Sequence, residues 1–168
     1  LKIYNHFNSE SFRTEISKVL GPYAQGRLRI SPEQIISISK KSDSFFLTLK
    51  LSGTNVPKLR GAHIDGARTI LTFLYYLRVP NDFSSGGNFL LHEKETPPNQ
   101  FAKFILKVFR KLTGVEFFNY TKSVDYKSNT FVAILNGPDA IHEVSTRRNV
   151  SVNRVAFHGG ITWSKDSF

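Results

Sequence analysis

The stretch "GAHIDG", residues 61 to 66, sets an imidazole and a carboxylate one residue apart between two glycines. On extended backbone, side chains at i and i+2 leave the same face, so His63 and Asp65 would stand side by side as two metal-competent donors. With five histidines in 168 residues, a His-x-Asp pair by itself decides nothing. A third donor must come from elsewhere, and His142 in "GPDAIHEV" offers one: on a strand Ala140, His142 and Val144 share a face, so this imidazole projects from an otherwise apolar surface. Two histidines and a carboxylate hold one face of an octahedral metal ion and leave the other positions open to reacting molecules. A fourth residue belongs with them. In "VSVNRVAF", alternation puts Val150, Val152, Arg154 and Ala156 on one face. A buried cation without a partner is costly, so Arg154 requires an anion, and no carboxylate nearby in sequence supplies it. Arg147 and Arg148, in the polar stretch "STRRN", read as turn residues with side chains in solvent.

These residues need strands to position them, and the rest of the chain is written accordingly. A hydrophobic content of 40%, with fifteen Phe and six Tyr, is enough for one packed core, so a single domain over residues 1–168 is expected. Asn8 or Ser9 can cap a first helix carrying Phe12, Ile16, Val19 and Leu20, with a stop at Gly21-Pro22. "QIISISK" and "FFLTLKL" about the turn "KSDS" read as a hairpin. "RTILTFLYYLRV", "GGNFLLHE", "FVAIL", "AIHEV" and "VSVNRVAF" read as further strands. From Asn99 to Thr113, Phe101, Phe104, Ile105, Val108, Phe109 and Leu112 recur at helical spacing, which predicts an amphipathic helix inserted between strands and packed on the outside. A mainly β fold of two antiparallel sheets, a jelly roll or another barrel, is the expected architecture.

In order and spacing, the segments from about residue 58 to 163 resemble the Fe(II)- and 2-oxoglutarate-dependent oxygenase superfamily, in its prolyl-4-hydroxylase-like branch. The resemblance rests on "HIDGARTILTFLYYL", on the glycine pair of "SSGGNFLL", and on "NTFVAILNGPDAIHEVSTRRNVSVNR". It implies a double-stranded β-helix with iron(II) held by His63, Asp65 and His142. It further implies 2-oxoglutarate as co-substrate, its far carboxylate paired with Arg154 and hydrogen-bonded by Tyr76. Oxygen is the oxidant implied and ascorbate a further candidate cofactor. The reaction implied converts 2-oxoglutarate to succinate and hydroxylates a carbon centre, and the carboxylate of Asp65 favours that outcome over halogenation. The branch's usual tyrosine on the strand before His-x-Asp is missing from "SGTNVPKLRG", and Arg154 follows His142 at twelve positions, a longer interval than is common.

The substrate classes that follow are a peptidyl proline, a small molecule or a glycan-linked group. The net charge of +10 favours an anionic partner. Two other readings belong to different classes: an oxidative nucleic-acid dealkylase, motivated by that charge and by "RRNVSVNR", and a jelly-roll module that binds metal without turnover. The absence of cysteine excludes disulfides and thiolate metal sites. No apolar run approaches the roughly 20 residues of a membrane span, and "LKIYNHFNSE" lacks a signal-peptide core, so a soluble, cytoplasmic chain is expected. The lack of Met even at position 1 fits a trimmed chain. His6, His92 and His158 match no motif and are read as ordinary.

Overall fold

The computed structural model describes residues 2–52, 61–94 and 118–163. Three helices come first: α1 (Lys2–Phe7), α2 (Glu10–Leu28) and α3 (Pro32–Lys40). Ser9 caps α2, its hydroxyl oxygen accepting from the Phe12 N–H at 3.1 Å, which satisfies one of the donors left open at a helix start. Gly21-Pro22 does not stop this helix, contrary to expectation. Phe12, Ile16, Leu20, Ala24 and Leu28 continue one apolar stripe through the pair and pack in the same core. Gly21 sits where α3 approaches closely: a Cβ there would lie 2.8 Å from the Cβ of Pro32. Packing on both sides therefore outweighs the hydrogen bond that Pro22 cannot donate.

Contrary to expectation, "QIISISK" is helical and not half of a hairpin. Ser31 Oγ accepts from the Gln34 N–H at 3.2 Å while Gln34 Oε1 accepts from the Ser31 N–H at 2.8 Å, a reciprocal cap with Pro32 in the first turn. Ile35, Ile36 and Ile38 fit either period, so the cap decides, and the helix buries Ile35 and Ser39 one turn apart. Only "FFLTLKL" is extended.

Seven strands form among the described residues: β1 (Phe45–Ser52), β2 (Thr69–Tyr76), β3 (Phe89–Lys94), β4 (Phe118–Val124), β5 (Thr130–Leu135), β6 (Ile141–Val144) and β7 (Arg154–Thr162). They make two antiparallel sheets, ordered β1-β7-β2-β5 and β4-β3-β6. Alternation divides the core in two. On one face of the four-stranded sheet, Leu71, Phe73, Leu135, Phe157 and Ile161 pack against Phe7, Phe12, Ile16 and Ile35 of the helices. On the other, Leu74, Tyr76 and Ala156 meet Phe89 and Tyr126, with Leu91 and Val124 beside them. The β-rich, two-sheet expectation holds at that level. Two details differ: β4 was not anticipated, and the last strand begins at Arg154, so Val150 and Val152 precede it. The predicted helix at Asn99 to Thr113 lies outside the described residues. Among the described residues, no helix is long and apolar enough to cross a membrane.

Arg147 corrects the expectation that both turn arginines reach solvent. It is 7% exposed, and its Nη2 donates to both Asp82 carboxylate oxygens at 3.1 and 3.0 Å and to the Val152 carbonyl at 3.0 Å. The Ser84 N–H and hydroxyl also donate to Asp82 Oδ1, at 3.0 and 2.6 Å. Gly86, at φ 79°, lets the chain pass the Thr146 carbonyl, with which a Cβ would collide. Arg148 is exposed as expected, and its backbone bridges to Ser85. Burial pushes the Asp82 carboxyl upward, but the Ser84 hydrogen bonds and the Arg147 and Arg78 charges outweigh it and hold it below the ordinary 3.8. A lowered folded value means the stabilisation is complete above 3.8 and disappears as pH falls through that lower value. In chemical denaturation at neutral pH, Asp82→Ala is expected to cost about 3–5 kcal/mol, because it strands a buried guanidinium. Asp82→Asn should flatten the acid limb of stability against pH; an unchanged limb would show that the pair contributes nothing.

Candidate metal centre

His63 and His142 are brought together by their backbones. The His63 N–H donates to the His142 carbonyl at 3.0 Å and the His142 N–H to the His63 carbonyl at 2.9 Å, an antiparallel bridge on the edge of β6 away from β3. Directly opposed residues in such a pair share a face, and the two rings lie with centroids 4.5 Å apart. Each ring is also oriented in the same way. Nδ1 of His63 is 2.8 Å from the Gly61 carbonyl and Nδ1 of His142 is 2.9 Å from the Ala140 carbonyl. A carbonyl only accepts, so Nδ1 carries a proton in each ring and Nε2 is the nitrogen turned toward Asp65.

Asp65 completes the set. Its Oδ1 lies 3.7 Å from His63 Nε2 and its Oδ2 3.7 Å from His142 Nε2, too far for hydrogen bonds and open enough for an ion between them. One donor atom from each residue falls within 4.8 Å of the others, and among the described residues this is the group that could hold a metal ion. The Thr72 hydroxyl donates to Asp65 Oδ2 at 2.6 Å and fixes the carboxylate. Asn136 Nδ2 donates to the carbonyls of Asp65, Gly66 and Thr69, at 3.4, 3.2 and 2.9 Å, and so holds the turn that carries it. The Phe89 ring stacks on His142 at 5.3 Å and 23°.

A cavity of about 230 Å³ between the sheets connects this group to Arg154, and Thr72, Leu74 and Phe89 also line it. Arg154 opens β7 opposite Ser52 of β1, not mid-strand. It is 4% exposed, and its Nε and Nη2 are buried without a hydrogen-bond partner. Its guanidinium lies over two aromatic rings, 4.8 Å from the centroid of Tyr76 and 5.3 Å from that of Tyr126. Tyr76 is fully buried, and its hydroxyl lies beside the Arg154 guanidinium without reaching hydrogen-bond geometry among the described residues. Burial raises the Tyr76 phenol above 10.0, against the pull of the Arg154 charge, so it stays protonated and able to donate at neutral pH.

All five residues singled out in the sequence thus border or adjoin one space. Tyr126 was missed. It follows β4 in the polar stretch "VDYKSN", where a large aromatic among turn residues is the only signal. Of the histidines read as ordinary, His92 pairs with Glu143 at 3.2 Å, His6 lies against the Phe7 and Phe12 rings, and His158 reaches the cavity wall. Compared with known proteins, the chain matches no protein-family model and no curated protein. The site therefore rests on its own geometry. If it holds metal, Thr72→Val should weaken cobalt(II) binding roughly 10- to 100-fold, because an outer hydrogen bond orients the ligand. Calorimetric titration measures it, and an unchanged affinity would mean that Asp65 needs no such support.

Proposed function

We propose that this protein is an Fe(II)- and 2-oxoglutarate-dependent dioxygenase that hydroxylates a carbon centre. The observation that carries the reading is one cavity with a His-Asp-His donor set at one side and a buried guanidinium with unmet donors at the other. A dicarboxylate able to chelate a metal through one end and meet Arg154 with the other fits both demands. The strand orders support the same reading. Successive segments pass between the two sheets, β2 in one, β3 and β4 in the other, then β5, β6 and β7 alternating, as a double-stranded β-helix requires. The His63 bridge extends the pairing at the other edge of β6 by one residue.

His63, His142 and Asp65 would hold the iron, and their donor types suit it: two imidazoles with Nδ1 on a backbone carbonyl and Nε2 toward Asp65, and one carboxylate. Bound there, iron(II) would supply the oxygen chemistry that turns 2-oxoglutarate into succinate and carbon dioxide and delivers a hydroxyl to the substrate. The chain's own residues do the rest. Arg154 grips the far carboxylate with planar, permanently charged donors, and Tyr76 offers its phenolic proton to the same group. Phe89 and Leu74 keep the walls apolar, which strengthens the electrostatic grip. The substrate classes remain a peptidyl proline, a small molecule or a glycan-linked group. In "RRNVSVNR" Arg147 is engaged with Asp82, and the oligonucleotides in the panel below test the nucleic-acid dealkylase alternative.

Succinate release with iron(II), 2-oxoglutarate and a panel of peptides, glycans, amino acids and oligonucleotides tests the activity. In anaerobic calorimetry of metal-loaded protein, Arg154→Ala should weaken 2-oxoglutarate by roughly 100-fold while metal binding stays within about two-fold. Arg148→Ala should change neither. Equal 2-oxoglutarate affinity in wild type and Arg154→Ala would sink the co-substrate assignment, and no binding of 2-oxoglutarate at all would sink the function.

A further inference from the structure

Arg154 has no hydrogen bond from Nε or Nη2 to hold it, yet a site that recognises a carboxylate needs its guanidinium in one place. Tyr126 provides that constraint. Its ring is fully buried, stands at 89° to Tyr76 with centroids 5.2 Å apart, and forms with it a corner in which the Arg154 guanidinium lies. Tyr126 is itself tied down at three points. Its N–H donates to Asn88 Oδ1 at 3.0 Å, its carbonyl accepts from Arg78 Nη1 at 3.1 Å, and its hydroxyl oxygen accepts from the N–H of Val155, the residue after Arg154, at 3.1 Å. Arg78 and Arg147 also lie over its ring, at 5.4 and 5.7 Å. Those two spend donors on oxygen acceptors: Arg78 on the Asp82 and Ser84 carbonyls, Arg147 on the Asp82 carboxylate and Ser84 hydroxyl. Arg154 has the rings.

We propose that Tyr126 is a positioning residue that sets the affinity and selectivity for the distal carboxylate of the co-substrate by holding the Arg154 guanidinium against its π-face. The inference rests on the function proposed above. A guanidinium attracted to the face of an aromatic ring in a desolvated corner loses its rotamer freedom before the ligand arrives, so binding need not supply that ordering. The Tyr126 hydroxyl oxygen is engaged with the β7 backbone through the Val155 N–H, so the ring and not the phenol carries the effect.

The test uses cobalt(II)-loaded full chain under anaerobic conditions and two probes, 2-oxoglutarate and 2-oxobutanoate, which chelates alike but has no distal carboxylate. In wild type, 2-oxoglutarate should bind far more tightly. Tyr126→Leu should weaken 2-oxoglutarate roughly ten-fold and leave 2-oxobutanoate and cobalt(II) affinities unchanged, so that the ratio between the probes contracts. Tyr126→Phe keeps the ring and should preserve the ratio within about three-fold. Should Tyr126→Leu fail to fold, replacing Tyr126 by phenylalanines of increasing fluorination keeps the volume and drains the π-face, and the ratio should fall step by step. A ratio unchanged by the leucine or fluorinated variants, or equal weakening of both probes, overturns the positioning role alone. A wild type that does not distinguish the two probes overturns this inference and the proposed co-substrate together.

Discussion

A guanidinium cannot shed its charge to escape burial, so a fold that encloses one must meet it with negative charge, with carbonyl oxygens or with the face of an aromatic ring. Three such groups surround Tyr126, and the ionised carboxylate beside them is Asp82. Arg147 takes that carboxylate and Arg78 takes backbone carbonyls around it. Arg154 lies against two rings, and among the described residues its Nε and Nη2 have no hydrogen-bond partner. Cation–π attraction contributes on the order of 2 kcal/mol when desolvated, less than the cost of burying a charge unpaired. An anion that binds beside Arg154 would therefore stabilise the folded chain by mass action.

What was legible in the sequence follows from which periods are local. His63 with Asp65, and Arg154 with its apolar neighbours, could be found because strand alternation relates residues two apart. The long-range partner His142 could be found because an imidazole on an apolar strand face lacks a structural reason. Pairings between distant segments left no such trace. Nothing near Arg147 announces Asp82, 65 residues upstream, so a polar local context read as solvent exposure. The isoleucines of α3 satisfy the periods of helix and strand alike, and a cap of two side chains settled what alternation could not. Pro22 read as a stop because its missing donor is visible in sequence, whereas the contact of Gly21 with Pro32 that outweighs it is not. Tyr126 has no pattern of its own; its importance exists only once β7 lies beside it.

The connection from His142 to Arg154 shows how the two sides of the site are kept in register. One residue belongs to the three-stranded sheet and the other to the four-stranded sheet, so twelve positions must carry the chain across the sandwich. A crossing connection of that length, left free, would let His142 and Arg154 drift apart. The crossing is instead fastened along its length. Ser145 donates its N–H to the Asn88 carbonyl at 2.9 Å and accepts the Asn88 N–H on Oγ at 3.0 Å; Arg148 bridges to Ser85; Arg147 reaches inward to Asp82 and also holds the Val152 carbonyl. Asn88 is the residue whose side chain also holds the Tyr126 N–H, and Tyr126 in turn holds Val155. The loop from Asp82 to Asn88 thus touches the His142 side through Ser145 and the Arg154 side through Tyr126. The segment between His142 and Arg154 is therefore held at Ser145, Arg147 and Arg148 by the 82–88 loop, and at Val152 by Arg147.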